Sequence, residues 1–516
     1  MLRSLATVSG FTAMSRVLGF VRDIFLANFL GTKMAADAFV AAFRFPNMFR
    51  RIFGEGAFSA AFVPLFGREL EEKGAGEAEL FASRSFTYLG GVLLVGTALA
   101  LPGMEWIMAI FTQGFRERPE TMALAVAYGR IAFSYLLCMA LAAHLSGVLN
   151  TLRVYAMPAL APVLLNLVFL TGLGVVVPLL GFSQSPIEAG YVAVWCVFVA
   201  GFAQLAVLWV ACWKKGMPVR VVWPKWGPQM QRLTVLMGPG VLSAGVQQVN
   251  LLVGTMIASE QVGALSYLYF ADRLNQLPLG MIGIAFSTVL LTEITRALRK
   301  GEEAKALQTQ ADGIVNALFL TIPAAVALCL AAEPILRVLF ERNLFTAVST
   351  RETATALFWF ATGLPAYVLV KVLQPTYFAR ENTKLPMVFA VVTVLVNVGL
   401  SLWLFRRHGH EGIAMATSFA GWVNVLLLFA GARDKLQLGP KRWGRIFGML
   451  LASGLMGAGL AWALRFAAGW LEGTFLERAL SLAGVVLFGM TVYAIWTMLF
   501  RVVSLSEVLR WWRRKK

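Results

Sequence analysis

Eight basic side chains fall inside the long apolar runs of this sequence: Arg16, Arg22, Arg44, Arg50, Arg51, Arg130, Arg273 and Lys371. Four acids share those runs, namely Asp23, Asp37, Glu55 and Asp272. A charged side chain at the centre of a membrane-spanning helix costs roughly 2.5–3.5 kcal/mol on insertion scales. Such residues are rare in spans and face a cavity or a partner. Pairing every acid with a base still leaves a surplus of cations, so something anionic is expected to visit. Guanidinium is a rigid bidentate fork matched to phosphate. The chemistry implied is capture of a phosphorylated head group in a water-filled cavity. Arg130 and Lys371 have a plainer alternative, a hydrogen bond to a backbone carbonyl.

Spacing adds detail. Arg16 and Asp23 are seven apart and share a helix face, as do Asp37, Arg44 and Arg51. An ion bridge is the plain alternative to a ligand role for Arg16 with Asp23. The same holds for Arg51 with Glu55, four residues on, and the neighbours Arg22–Asp23 and Asp272–Arg273 admit it too. Asn47 and Arg50 lie on another face. Pro46 removes a backbone hydrogen bond beside them, so a kink is expected there.

The elements that must position these groups are membrane helices. The chain has 516 residues, 59% hydrophobic and only 14% charged, against about a quarter charged in soluble domains. Apolar runs of about 20 residues recur from end to end. The fold class expected is all-α: a polytopic membrane protein with fourteen transmembrane helices. The first span starts near Leu5 and is read as uncleaved, because Arg16 interrupts the signal-like run. The formal net charge of +18 is read as topology, not nucleic-acid binding. Connections Trp213 to Arg232 and Arg433 to Arg445 carry five Lys and Arg each, and basic loops mark the cytoplasmic side. Both termini are then cytoplasmic, and the basic tail Arg510 to Lys516 would sit against anionic phospholipids. The four cysteines and three histidines show no metal-ligand spacing.

Two segments repeat at one offset of 228 residues. AADAFVAAF (35–43) aligns with GALSYLYFA (263–271), and AFSAAFVPL (57–65) with AFSTVLLTE (285–293). Six spans separate the copies, so two parallel six-helix lobes are expected, a known transporter plan. The domains read as residues 1–215, 216–435 and an extra pair of C-terminal helices with the tail, 436–516. There is no glycine-rich nucleotide loop, HExxH, DxD or GxSxG, so neither an ATP-driven pump nor a common hydrolase is encoded.

The motifs SRVLGFVRD, ADAF, FRFPNMFRRIFGEGAFSAAFVP and the later YFADRL (269–274) resemble the MurJ (MviN) family of lipid II flippases, within the multidrug/oligosaccharidyl-lipid/polysaccharide exporter superfamily. The resemblance spans essentially the whole chain. It implies two lobes around a central cavity, with a groove at spans thirteen and fourteen for a polyprenyl tail. It also implies cavity arginines at Arg16, Arg22, Arg50 and Arg273. Ser15, Asp23, Asp37, Asn47 and Glu55 match family motif positions. Gln276 stands where the family often has Glu, and Gly254 where it often has Asp. Asn397 and Thr417 match positions of a Na⁺ site, but Ser401 replaces a helpful carboxylate, so no metal is expected.

The expectation is a flippase that moves undecaprenyl-pyrophosphate-linked peptidoglycan precursor, lipid II, from inner to outer leaflet by alternating access in the bacterial inner membrane. Substrate-binding residues would be Arg16, Arg22, Arg50, Arg273, Asn47 and Ser15. Asp23, Asp37, Glu55, Asp272 and Lys371 would tune cavity charge and gating. No cofactor is expected, with coupling to membrane potential or a monovalent cation as the energy source. A monomer without a nucleic-acid partner is expected. Alternatives are a flippase for another polyprenyl-linked glycan, or a membrane enzyme acting on lipid-linked sugars. The enzyme would need a carboxylate pair or metal ligands near a membrane face.

Overall fold

The computed structural model describes residues 2–49, 57–223, 225–432, 436, 438–500 and 502. It is helical throughout, with an isolated bridge between Arg342 and Phe345. Among the described residues ten helices are long and apolar enough to cross a membrane. The bent pair Ala61–Ala100 and Met104–Phe111, meeting at 80°, makes an eleventh. Two further helices, α1 (Leu2–Leu30) with Arg16, Arg22 and Asp23 and α2 (Met34–Phe49) with Asp37 and Arg44, fall outside that apolar set. Intramembrane backbone must satisfy its own hydrogen bonds, which is why apolar runs become helices.

The chain forms two compact units. The first holds residues 1–266 with 342–346, and the second holds 267–341 with 347–516. After α1 and α2, the first unit continues with α3 (Ala57–Ala100), α4 (Met104–Phe111), α5 (Pro119–Phe133), α6 (Tyr135–Thr151), α7 (Ala156–Thr171), α8 (Val177–Leu179), α9 (Pro186–Lys214) and α10 (Pro228–Ala258). Proline opens α5, α9 and α10, where its missing N–H costs nothing. α3 folds back on itself at Gly74, whose φ of 84° suits glycine alone. Phe62 of its first leg then stacks on Phe81 of its second at 5.7 Å. The imidazole of His144 on α6 lies 4.4 Å from Phe62 and bonds Ser85 Oγ at 2.8 Å. α1 packs on α7, α2 on α5, and α10 along α3.

Helix α11 (Ala264–Pro278) begins in the first unit, and its residues from Tyr267 onward belong to the second. A π-helical turn, Leu279–Gly283, joins it to α12 (Ile284–Arg299) in one span of 36 residues. Then follow α13 (Glu303–Leu330), α14 (Ala332–Phe340), α15 (Ala347–Phe378), α16 (Lys384–His408), α17 (His410–Gly431), α18 (Pro440–Phe466), α19 (Ala468–Leu471) and α20 (Phe475–Leu499). Leu290, Ile314, Leu364, Val368 and Leu428 centre a core shared by α12, α13, α15 and α17. The sequence repeat falls on matching elements: AADAFVAAF on α2 and GALSYLYFA on α11, then AFSAAFVPL opening α3 and AFSTVLLTE opening α12. Large apolar side chains such as Leu99, Trp106, Leu395 and Leu426 stay exposed, as lipid-facing helices require.

Candidate functional site

The buried charge of α1 is organised by a residue that the sequence reading missed, Asn166 on α7. Arg22 is buried, and its Nε and Nη2 donate to Asp23 Oδ1 at 3.1 and 2.8 Å. Its Nη1 donates to Asn166 Oδ1 at 3.1 Å, and its guanidinium carbon lies 5.4 Å from the Phe169 ring centroid. Asn166 Nδ2 in turn donates to the Ser15 carbonyl at 2.9 Å and lies 3.4 Å from Ser15 Oγ. Asn166 passes beside Gly19, where a Cβ would meet Nδ2 at 3.5 Å in ordinary contact. The only signal in the sequence was a lone amide in an apolar span.

Arg16 is different. It is exposed on α1 and makes no ion pair among the described residues. The bridge considered between Arg16 and Asp23 is not formed; Arg22 occupies that carboxylate instead. The reason is reach: a flexible arginine stem folds across the helix surface to its neighbour, while the shared-face argument fixes side chains at their wheel positions. Arg16 thus retains the free fork that an anionic head group needs.

On α2, Asp37 is fully buried and works as a helix cap. Its carboxylate accepts from the backbone N–H of Gly263 at 2.6 Å and of Ser266 at 3.0 Å. It also accepts from the Ser266 hydroxyl at 2.7 Å. These are orphan donors at the start of α11, and negative charge there is favoured by the helix dipole. Half-buried Arg44 donates to the Thr255 hydroxyl on α10. Asn47 lies half-buried one turn beyond Arg44. Arg50, Arg51 and Glu55 lie outside the described residues.

In the second unit, Asp272 and Arg273 engage neighbours on their own helix. Gln276 donates to Asp272, and Arg273 Nη2 donates to Tyr269 Oη at 3.0 Å while its guanidinium lies 4.8 Å from that ring. Lys371 is exposed on α15, and Arg130 is exposed on α5. Asn397 and Thr417 sit on α16 and α17. Thr417 Oγ1 donates to the Ile413 carbonyl at 2.7 Å, and Ser401 Oγ lies 3.5 Å from Asn397 Oδ1. This donor set is neutral, and among the described residues no group of His, Cys, Asp or Glu is arranged to hold a metal. It does not fit a bound Na⁺, which wants several oxygen ligands with a carboxylate among or beside them.

The second unit also holds an apolar cavity of about 950 Å³. Its walls are α13, α15, α17 and α18, with Leu318, Leu369, Phe429, Trp443 and Leu450 among them. Gly454, Gly457, Ala458 and Ala461 keep the α18 wall thin. A groove made by the last two spans, thirteen and fourteen, was expected; here α18, the first of that pair, shares the cavity with α13, α15 and α17. α20 lines none of it. It packs on α18 and reaches α13, where Tyr493 donates to the Phe319 carbonyl at 2.8 Å.

Comparison with known proteins gives this geometry a context. Residues 26–481 match the family model described as lipid II flippase MurJ. The chain is 42% identical over 508 residues to the probable lipid II flippase MurJ of Rhizobium meliloti (strain 1021), covering 96% of this chain and 92% of that one. It is 33% identical over 513 residues to the lipid II flippase MurJ of Burkholderia cenocepacia, covering 97% and 98%. A solved structure of lipid II flippase MurJ in an inward closed conformation superposes with a TM-score of 0.76 at 25% identity, over 96% of this chain and 98% of that one. An inward-facing multidrug transporter of the MATE family shares the fold, with a TM-score of 0.67 at 16% identity over 82% and 94%. The chain is a membrane transporter that belongs to the MurJ family of lipid II flippases.

Proposed function

We propose that this chain moves lipid II from the inner to the outer leaflet of the bacterial inner membrane by alternating access, for peptidoglycan synthesis, with both termini cytoplasmic. The observation that carries the reading is the family match over residues 26–481. The site supports it through the exposed cation Arg16 on α1, without an ion-pair partner among the described residues. Arg16 takes the pyrophosphate, with Arg50, Arg273, Asn47 and Ser15 as further ligands. Arg22, locked by Asp23 and Asn166, holds α1 and α7 together and adds positive potential. Glu55, Asp272 and Lys371 set cavity charge and gating, while Asp37 pins α2 to the start of α11. The apolar cavity of the second unit receives part of the polyprenyl tail. The neutral set at Asn397 and Thr417 holds no Na⁺, so the cycle is biased by membrane potential, worth about 2.3 kcal/mol per charge at 100 mV. The protein acts as a monomer.

The test is translocation of lipid II into reconstituted vesicles, with complementation of a depleted strain beside it. Arg16→Ala loses charge-assisted hydrogen bonds worth about 1.5–3 kcal/mol, roughly a ten- to hundredfold loss of transport at normal expression. Arg16→Lys restores part, keeping the charge without the fork. Wild-type transport by Arg16→Ala would overturn the assignment of the head-group site.

A further inference from the structure

The connection between α9 and α10 does more than join two helices. Residues 214–227 contain Lys214, Lys215, Arg220 and Lys225, and the acid-free basic run continues to Arg232. Pro218 stands near the start of a stretch that is not helical, and Pro228 opens the next helix. The connection leaves α9 through Gly216, at a φ of 73°, and the Met217 N–H returns to the Cys212 carbonyl at 3.0 Å. The next stretch is fastened along α3. The Arg220 and Val222 N–H groups donate to Ser83 Oγ and Thr87 Oγ1 at 3.1 and 3.0 Å. Trp209 Nε1 donates to the Val219 carbonyl at 2.8 Å, and the Trp226 ring lies 5.1 Å from Tyr88. Donors two residues apart on the strap meet hydroxyls four apart on the helix, so the extended chain has one register.

This fastening presents the wrong side chains to water. Val221 is 72% exposed and Trp223 is 84% exposed, beside exposed Lys214, Lys215, Arg220 and Lys225. The apolar edge is continuous with the exposed ends of its flanking helices, Val210 and Trp213 on α9 and Val235 and Leu236 on α10. Tryptophan beside lysine and arginine at the end of a span is the composition of a bilayer interface. The strap itself carries no acid, so its own surface is complementary to anionic head groups; the neighbouring acid Glu69 on α3 is engaged by Lys73 and by Gln229 Nε2 at 2.9 Å.

We propose that residues 214–227 form an interfacial strap that binds anionic phospholipid, with Trp223 and Val221 seated in the head-group layer and the four basic side chains on lipid phosphates. The occupant is bulk anionic lipid of the leaflet at that end of the helices. The inference is independent of which substrate is carried.

The experiment places an environment-sensitive fluorophore on Val221→Cys in the full chain with Cys329→Ser; the other three cysteines are buried. Quenching by brominated phosphatidylglycerol and brominated phosphatidylcholine in nanodiscs gives a relative lipid affinity. Basic side chains near a surface are expected to favour the anionic lipid by about fivefold each at most, so a preference of about fivefold or more is expected overall. It should fall toward one in Lys214→Gln, Lys215→Gln, Arg220→Gln, Lys225→Gln, and on raising salt from 0.1 to 1 M with the native strap, since about 3 Å screening remains. The salt titration stands even if the fourfold variant fails to assemble. Equal quenching by the two lipids would overturn the proposal. Quenching by aqueous iodide with none by either lipid would do so as well.

Discussion

Arg16 and Arg22 lie six residues apart on one helix, yet the structure gives them opposite circumstances. Arg22 is buried and held by Asp23, Asn166 and Phe169, whereas Arg16 is exposed. Removing one partner of a buried pair costs about 3–5 kcal/mol, because the other charge is left uncompensated. Asp23→Ala should therefore lower stability strongly, seen as a fall in thermal midpoint in detergent. Arg16→Ala should change stability by no more than about 0.5 kcal/mol, as for an ordinary surface substitution, while abolishing most transport. A wild-type midpoint for Asp23→Ala would mean that Arg22 does not depend on its carboxylate. Which residues carry charge was legible in the sequence, because a charge in an apolar run stands out against composition. How the charges pair was not. The partner that decides Arg22 is Asn166, 144 positions away, and an uncharged amide in a span gives no reason to choose it over other polar residues.

Helix starts show the same division between what is local and what is distant. Pro119, Pro186 and Pro228 announce the starts of α5, α9 and α10 from sequence. The start of α11 is closed instead by Asp37, which lies 226 residues from Gly263. The repeat aligns Asp37 with Leu265, between the two residues whose N–H groups it accepts. Even so, a sequence alignment cannot say that aligned positions touch. The reading that gave Asp37 a role in cavity charge did not foresee a cap. Losing a cap costs about 0.5–2 kcal/mol, so Asp37→Ala should speed hydrogen exchange of the amides at 263–266 by roughly two- to thirtyfold, with Asp37→Asn in between. Unchanged exchange would remove the cap from the account. A second close approach is testable nearby. The Gly114 N–H donates to Ser259 Oγ at 3.0 Å, and a Cβ on Gly114 would overlap the backbone of Ser259 and Glu260. Neither partner is a flexible side-chain end, so Gly114→Ala must push the two turns apart at a cost of about 1–3 kcal/mol. Faster exchange at both turns is the expected readout, and a wild-type pattern would show that the turns yield freely.

At the scale of the molecule, composition and run length were enough to read a polytopic helical membrane protein, because lipid forbids other backbone solutions for such segments. Cavity shape was less legible, since it depends on which small residues face which neighbours. The Gly454, Gly457, Ala458 and Ala461 series on α18 could equally have been a close helix–helix contact. Gly457 is one: a Cβ there would lie 3.0 Å from Val326 Cγ1. Gly454 is not, because a Cβ there would meet nothing within 4 Å, although the residue lines the apolar cavity. That contrast supplies a test of what the cavity is for. Gly454→Leu places a side chain in open apolar space, so it should fold and insert normally, and it also removes the helix penalty of glycine, about 1 kcal/mol. If the cavity receives part of a polyprenyl tail, the added side chain displaces part of it, at about 0.8 kcal/mol per buried methylene lost. Transport of the full-length lipid should then fall by roughly tenfold or more, while an analogue with a tail too short to enter the cavity is carried at the wild-type rate. Comparing the two substrates in one vesicle assay separates tail seating from a general defect. Equal losses for both would mean that the substitution hinders the conformational cycle. Full activity with both would mean that the tail travels elsewhere, along the lipid-facing surface instead of through this cavity.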